Sequence, residues 1–138
     1  EMLGYSRAVC VGDRVWVSAT APVDADGTLV APDDPGSQMH HVLAIIEEAL
    51  AAVDATVSDV VRTRIYLRSF ADLGPIAAAH RAVFGADPPA STVIAVADLV
   101  LPGMRVYVEA EAIAGGRRAK DDARGTVPVS DRGAGQST

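Results

Sequence analysis

From Arg105 to Ala114 apolar and polar residues alternate without a break: Val106, Val108, Ala110 and Ala112 fall on one side, and Arg105, Tyr107, Glu109 and Glu111 on the other. Period two is the signature of a half-buried strand. With no Gly or Pro in the run, this strand is expected at the centre of its sheet. The same period marks Arg14 to Thr20, where Val15, Val17 and Ala19 oppose Trp16, Ser18 and Thr20. It recurs from Val60 to Arg68, where Val61, Thr63, Ile65 and Leu67 oppose Arg62, Arg64, Tyr66 and Arg68. The polar sides of this strand and the last one carry complementary charge and would suit neighbouring strands. Ser6 to Val11 and Ser91 to Ala97 complete five predicted strands, the first joined to the second by a turn at Gly12-Asp13.

Two segments change period. Met39, Val42, Leu43, Ile46, Ala49, Leu50 and Val53 recur at three and four residues, which predicts an amphipathic helix with Glu47 and Glu48 outward. Asp34 is its expected N-cap, Pro35 its first helical residue, and Val53 or Asp54 its end. A second helix is predicted from Leu73 to Phe84, with Asp72 as N-cap and Gly85 beyond its end. Between strand two and the first helix, Asp24 to Gly36 is a loop by its Asp, Pro and Gly content.

The order strand, strand, helix, strand, helix, strand, strand gives an α+β fold with one sheet. Two helices can cover only one face of it. The other face would expose Trp16, Tyr66 and Tyr107, and such a patch normally marks an interface, so the chain is expected to oligomerise through its helix-free face and to place ligand sites at subunit junctions. Residues 1–114 form the predicted domain; 115–138, rich in Gly, Arg, Asp and Ser without periodicity, form an expected flexible tail.

Composition narrows the picture. At 138 residues the chain suits one domain, and with aromatics at 4% the core must be built from Val, Ala, Leu and Ile. A formal charge of -6 argues against a nucleic-acid or anionic-membrane partner. In the tail, Arg117, Arg118 and Arg124 are offset by Asp121 and Asp122, so no basic arm results. The single Cys10 can form no internal disulfide and is expected to pack as a small hydrophobe. No leader, lipidation motif or spanning apolar run is evident, which makes a cytoplasmic protein the expectation. His40 and His41 diverge by about 100° on a helix and make no metal pair. His80, on the apolar stripe of the second helix, reads as a core or interface histidine.

Several stretches together carry a resemblance: Gly4-Tyr5-Ser6-Arg7-Ala8-Val9, Val15-Trp16-Val17-Ser18-Ala19, Val60 to Tyr66, Pro89-Ala90-Ser91-Thr92-Val93 and Glu109 to Ala114. In this order and spacing the chain resembles the Rid family, the reactive intermediate deaminases also called YjgF/YER057c/UK114. The resemblance implies a chorismate-mutase-like fold, a homotrimer with three clefts between subunits, and hydrolysis of imines or enamines released by pyridoxal-phosphate enzymes to a keto acid and ammonia, without a cofactor of its own. It also implies roles at particular positions. Glu109 matches the water-orienting glutamate, Tyr5 the tyrosine near the start, Ser18-Ala19 the Ser-Gly of the second strand, and Thr92 a frequent cysteine. The arginine that grips the substrate carboxylate in deaminating members falls on Ala90, and a methyl group cannot replace a bidentate clamp. Arg64 and Arg105, on the expected polar face, are the candidates to substitute for it, although structural pairing is the simpler role for each. Ser18 has no histidine beside it in sequence and reads as a hydrogen-bonding group, not a nucleophile. Glu109 could instead be an ion-pair partner of Arg62 or Arg64.

Two function classes follow. One is a cofactor-free enzyme that handles a reactive imine, enamine or related carbonyl compound by hydrolysis, cyclisation or condensation, with Glu109 as acid/base and a substrate lacking the usual carboxylate. The other is a non-catalytic trimeric ligand-binding or regulatory module. Ribonuclease activity, described for some members of the family it resembles, finds no support in the net charge or in any aromatic platform.

Overall fold

The computed structural model describes residues 3–115 and 125–129. Five strands form one mixed sheet: β1 (Ala8–Val11), β2 (Arg14–Thr20), β3 (Val60–Leu67), β4 (Ala90–Ala95) and β5 (Val106–Ile113). Their spatial order is β1-β2-β5-β3-β4, which puts β5 at the centre. All pairs are antiparallel except β3 and β4. That parallel pair needs a crossover, supplied by α2 (Leu73–Phe84); the other helix, α1 (Pro35–Ala51), follows β2. The expected tail, 115–138, lies outside the described residues except for 115 and 125–129.

The helices pack on one face over a core of aliphatic side chains. Met39, Val42, Leu43, Ile46 and Leu50 of α1 and Ile76 and Ala79 of α2 meet Val15, Val17, Ile65, Leu67, Val106 and Val108 of the sheet. Phe84 is the one aromatic residue in this cluster. Asp34 caps α1 as expected, its Oδ1 accepting from the Ser37 amide at 3.0 Å; this bond holds its carboxyl below the usual carboxylate range. The helix stops at Ala51, before the expected Val53, because Asp54 adopts a left-handed φ of 58° and the Ala55 amide closes back on the Leu50 carbonyl.

Three local expectations are corrected. Asp72 makes no side-chain cap bond to α2. A short 3-10 turn, Phe70–Asp72, precedes the helix, so Asp72 is already wound into helical conformation and its carboxylate turns to Arg105 instead. Cys10 is exposed: β1 is an edge strand that neither helix covers, and the thiol reaches only the Gly12 carbonyl. Simple alternation also fails twice. The pairing of β2 with β5 shifts between Val17 and Thr20, so Thr20 is buried where alternation would expose it; a second shift lies between Val60 and Arg62 on β3 and buries Val60.

The opposite face carries no helix. Trp16 is 41% exposed, Val9 49%, Val11 63% and Ile94 41%, an apolar area continuous with the half-buried Tyr66 and Tyr107, whose ring centroids are 6.4 Å apart.

Candidate functional site

Glu109 stands at the middle of the central strand on this helix-free face. Its register partner on β3 is Arg64, and Tyr107 faces Tyr66 one step along. On its other side the β2 bulge lies directly opposite: Val17 pairs with Ala110 and Thr20 with Val108, so Ser18 and Ala19 bow out against Glu109. A bulge of this kind breaks lateral packing and re-aims side chains. Here it leaves two openings, both walled by Glu109. The larger, about 360 Å³, is lined by Ala19, Tyr66, Tyr107 and the Val96 to Met104 segment. The smaller, about 240 Å³, runs over Val9, Trp16, Ser18, Arg64 and Glu111.

The carboxylate is held on one side only. Tyr66 donates its hydroxyl to Glu109 Oε1 at 2.7 Å, and Arg64 Nη1 donates to the same oxygen at 3.3 Å and to Glu111 Oε1 at 3.1 Å. No described residue bonds Oε2. Arg64 is raised further above its already high pKa, chiefly by its bond to Glu111, so it stays charged. Tyr66 is raised first by donating to Glu109 and then by burial; Tyr107 is raised first by burial. Both phenols therefore keep their protons and remain donors. Among the described residues no group of three His, Cys, Asp or Glu side chains is placed to hold a metal ion.

The other expected site residues separate. Arg105 precedes β5 and leaves its alternation; its Nε bonds Asp72 Oδ2 at 2.8 Å and its amide bonds Gln38. It does not share the polar face with Glu109, contrary to expectation. Ser18 acts as a hydrogen-bond donor, but to the Ser6 carbonyl at 2.7 Å, pinning the segment before β1. Tyr5 lies on that segment, 57% exposed, near enough to influence Tyr107. Ala90 and Thr92 are register partners of Arg62 and Arg64 on β3, yet neither walls either opening beside Glu109. Arg62 makes no ion pair with Glu109.

Two residues of the site region escape pattern reading. Tyr66 was visible only as part of a polar face, not as the partner of Glu109. Gln38 is fully buried: Nε2 donates to the Ala31 and Gly103 carbonyls at 3.0 and 2.9 Å, and Oε1 accepts from the Arg105 amide at 2.7 Å. It thereby ties α1 to the loop that forms the wall of the larger opening. The only signal is a polar residue beside Met39 on the core stripe.

The chain matches a known family. Residues 2–115 match the family model described as endoribonuclease L-PSP. The chain belongs to that family. A crystal structure from Mycobacterium tuberculosis, described as a member of the YjgF/YER057c/UK114 family, is similar with TM-score 0.73 and 36% identity, over 81% of this chain and 88% of that one. An uncharacterised Streptomyces coelicolor protein is 32% identical over 115 residues, 83% of this chain and 85% of its own length. A RutC family protein of Pyrococcus abyssi is 29% identical over 110 residues, 80% of this chain and 84% of its own. The mixed sheet with two helices on one face is the family's fold, as the sequence implied.

Proposed function

We propose that the chain is a cofactor-free enzyme that acts on a reactive imine, enamine or related carbonyl compound, in a cleft completed by trimerisation through the helix-free face. The observation that carries this reading is the state of Glu109: Oε1 is fixed by Tyr66 and Arg64, while Oε2 takes no bond from a described residue and the carboxylate walls the larger opening. A carboxylate fixed through one oxygen and free at the other suits a general base. In imine hydrolysis Oε2 accepts a proton from water as the water oxygen bonds to the C=N carbon, and hands it to the nitrogen. The hydroxyl proton of the carbinolamine then passes by way of Oε2 to the nitrogen, the C–N bond breaks, and ammonia or an amine leaves a carbonyl product. The family resemblance supports this chemistry, and Ala90 in place of the carboxylate clamp favours substrates that carry no carboxylate there.

The second reading is a trimeric binding module braced by the Arg64 bridge. What favours it is that one guanidinium joins Glu109 to Glu111, as a purely structural cross-strand pair would. The family's description also names an endoribonuclease; the charge of -6 speaks against a phosphate-rich substrate. The purified chain should be assayed against imines generated in situ, with and without a carboxylate, and against single-stranded RNA. Carbonyl release from the imines supports the enzyme reading. Turnover of RNA alone, or of nothing in the panel, contradicts it.

A further inference from the structure

The larger opening beside Glu109 is mostly apolar away from its polar floor. Val96, Leu99, Val100 and Met104 form one side and the Tyr66 and Tyr107 rings another. Among the described residues Glu109 and Asp98 are the only charged groups that line it, and no cation does. Two guanidinium groups near it are paired with carboxylates, Arg64 with Glu109 and Glu111 and Arg68 with Asp98 at 2.8 Å; Arg7, near enough to act on Tyr107 but outside the lining, gives an N–H to the Thr20 hydroxyl at 3.0 Å. A carboxylate entering here would meet two carboxylates on the walls and no guanidinium among the lining residues, a poor environment for a second anion. Val100 is 77% exposed at the mouth, an apolar side chain with nothing yet packed on it. The Tyr107 hydroxyl has no hydrogen-bond partner among the described residues, whereas the Tyr66 hydroxyl is already committed to Glu109.

From this lining we infer that the cavity takes an imine or ketone with an apolar body and no carboxylate, its branched or phenyl group against Val96, Leu99 and Val100, its C=N or C=O accepting a hydrogen bond from Tyr107. This rests on the proposed reading of the Glu109 site and names its substrate class. Tyr107 becomes the positioning residue, and the Val96 to Met104 loop, anchored by Gln38 through Gly103 and Arg105, sets specificity.

The test is equilibrium binding, which does not depend on turnover. Dissociation constants of the intact protein for phenylacetone, phenylpyruvate and acetone are to be measured by ligand-observed NMR, with Val100→Asp and Tyr107→Phe beside the wild type. Burial of a phenyl ring predicts phenylacetone at least tenfold tighter than acetone, and the absence of a cation predicts it at least tenfold tighter than phenylpyruvate. Val100→Asp, at an exposed position, should weaken phenylacetone at least fivefold with the melting temperature unchanged, and Tyr107→Phe should weaken phenylacetone and acetone by a similar factor. Phenylpyruvate binding as tightly as phenylacetone, or phenylacetone no tighter than acetone, overturns the inference. Phenylacetone binding as predicted while no imine is turned over upholds the cavity's ligand class and sinks the catalytic reading instead.

Discussion

Glu109 and Gln38 show how differently two polar residues can be placed on one frame. Gln38 has every polar atom of its side chain engaged and no exposure, so it serves structure. Gln38→Ala strips partners from two carbonyls and one amide; at about 1 kcal/mol for each bond, and more where a group stays dry, the variant should lose about 3 kcal/mol or more in a urea titration. A loss under about 1 kcal/mol would mean that water replaces the side chain. Glu109 keeps an oxygen in the open, and its side chain and that of Arg64 remain about a third exposed, at 31% and 34%. At such exposure solvent screens the ion pair and it adds little to stability. Holding the carboxylate in place is therefore a better account of Arg64 than stabilising the fold. Arg105 demonstrates the limit of reading single residues: its strand parity pointed to the polar face, but a position just outside β5 is free of that parity, and the nearby Asp72 carboxylate captured it.

At the scale of elements, periodicity located β2, β3, β5 and α1, because burial on one side imposes the period wherever an element is regular; β1 and β4, whose burial does not alternate, were placed by composition and flanking turns. α2 spans Leu73–Phe84, the range its pattern predicts. The two bulges were not legible. An extra residue in β2 or β3 changes which neighbours pack without changing residue type, so Val15 to Thr20 reads as plain alternation although Ser18 and Ala19 leave it. That unread bulge is also what opens the sheet at Glu109. The second helix carries a titrating element. His80 Nε2 lies 3.0 Å from Thr63 Oγ1, which lies 2.8 Å from Ser91 Oγ, linking α2 to β3 and β4. Burial pushes the imidazole pKa below its ordinary value. The unfolded chain, with His near its usual value of about 6.5, then binds the proton first as pH falls, so stability is complete above that value and is lost on acidification toward the folded-state pKa. Melting temperature should fall between about pH 7 and pH 5, and His80→Gln should flatten that part of the profile while lowering the value at pH 7. A His80→Gln profile as steep as the wild type would assign the acid sensitivity elsewhere.

For the molecule as a whole, Trp16, Val9 and Val11 lie exposed on the same surface as Glu109, so under the proposed function one face serves both assembly and chemistry. Family membership and fold were legible because the residue pattern spans nearly the whole of 2–115; the substrate was not, because the Val96 to Met104 loop has no periodicity to read. Trimerisation through this face predicts a trimer mass by light scattering at micromolar concentration, and Trp16→Glu should shift it toward monomer by placing a charge on an apolar junction. A wild-type monomer would contradict the assembly. The account's central claim is that Glu109 works as a base and is not merely a brace. Its most direct test is one variant, Glu109→Gln, which keeps the side chain's size and most of its hydrogen bonds. Turnover of an accepted imine, measured beside the melting temperature, should fall about 10²–10⁴-fold with little change in melting; a few-fold loss of turnover together with a clearly lower melting temperature would contradict it.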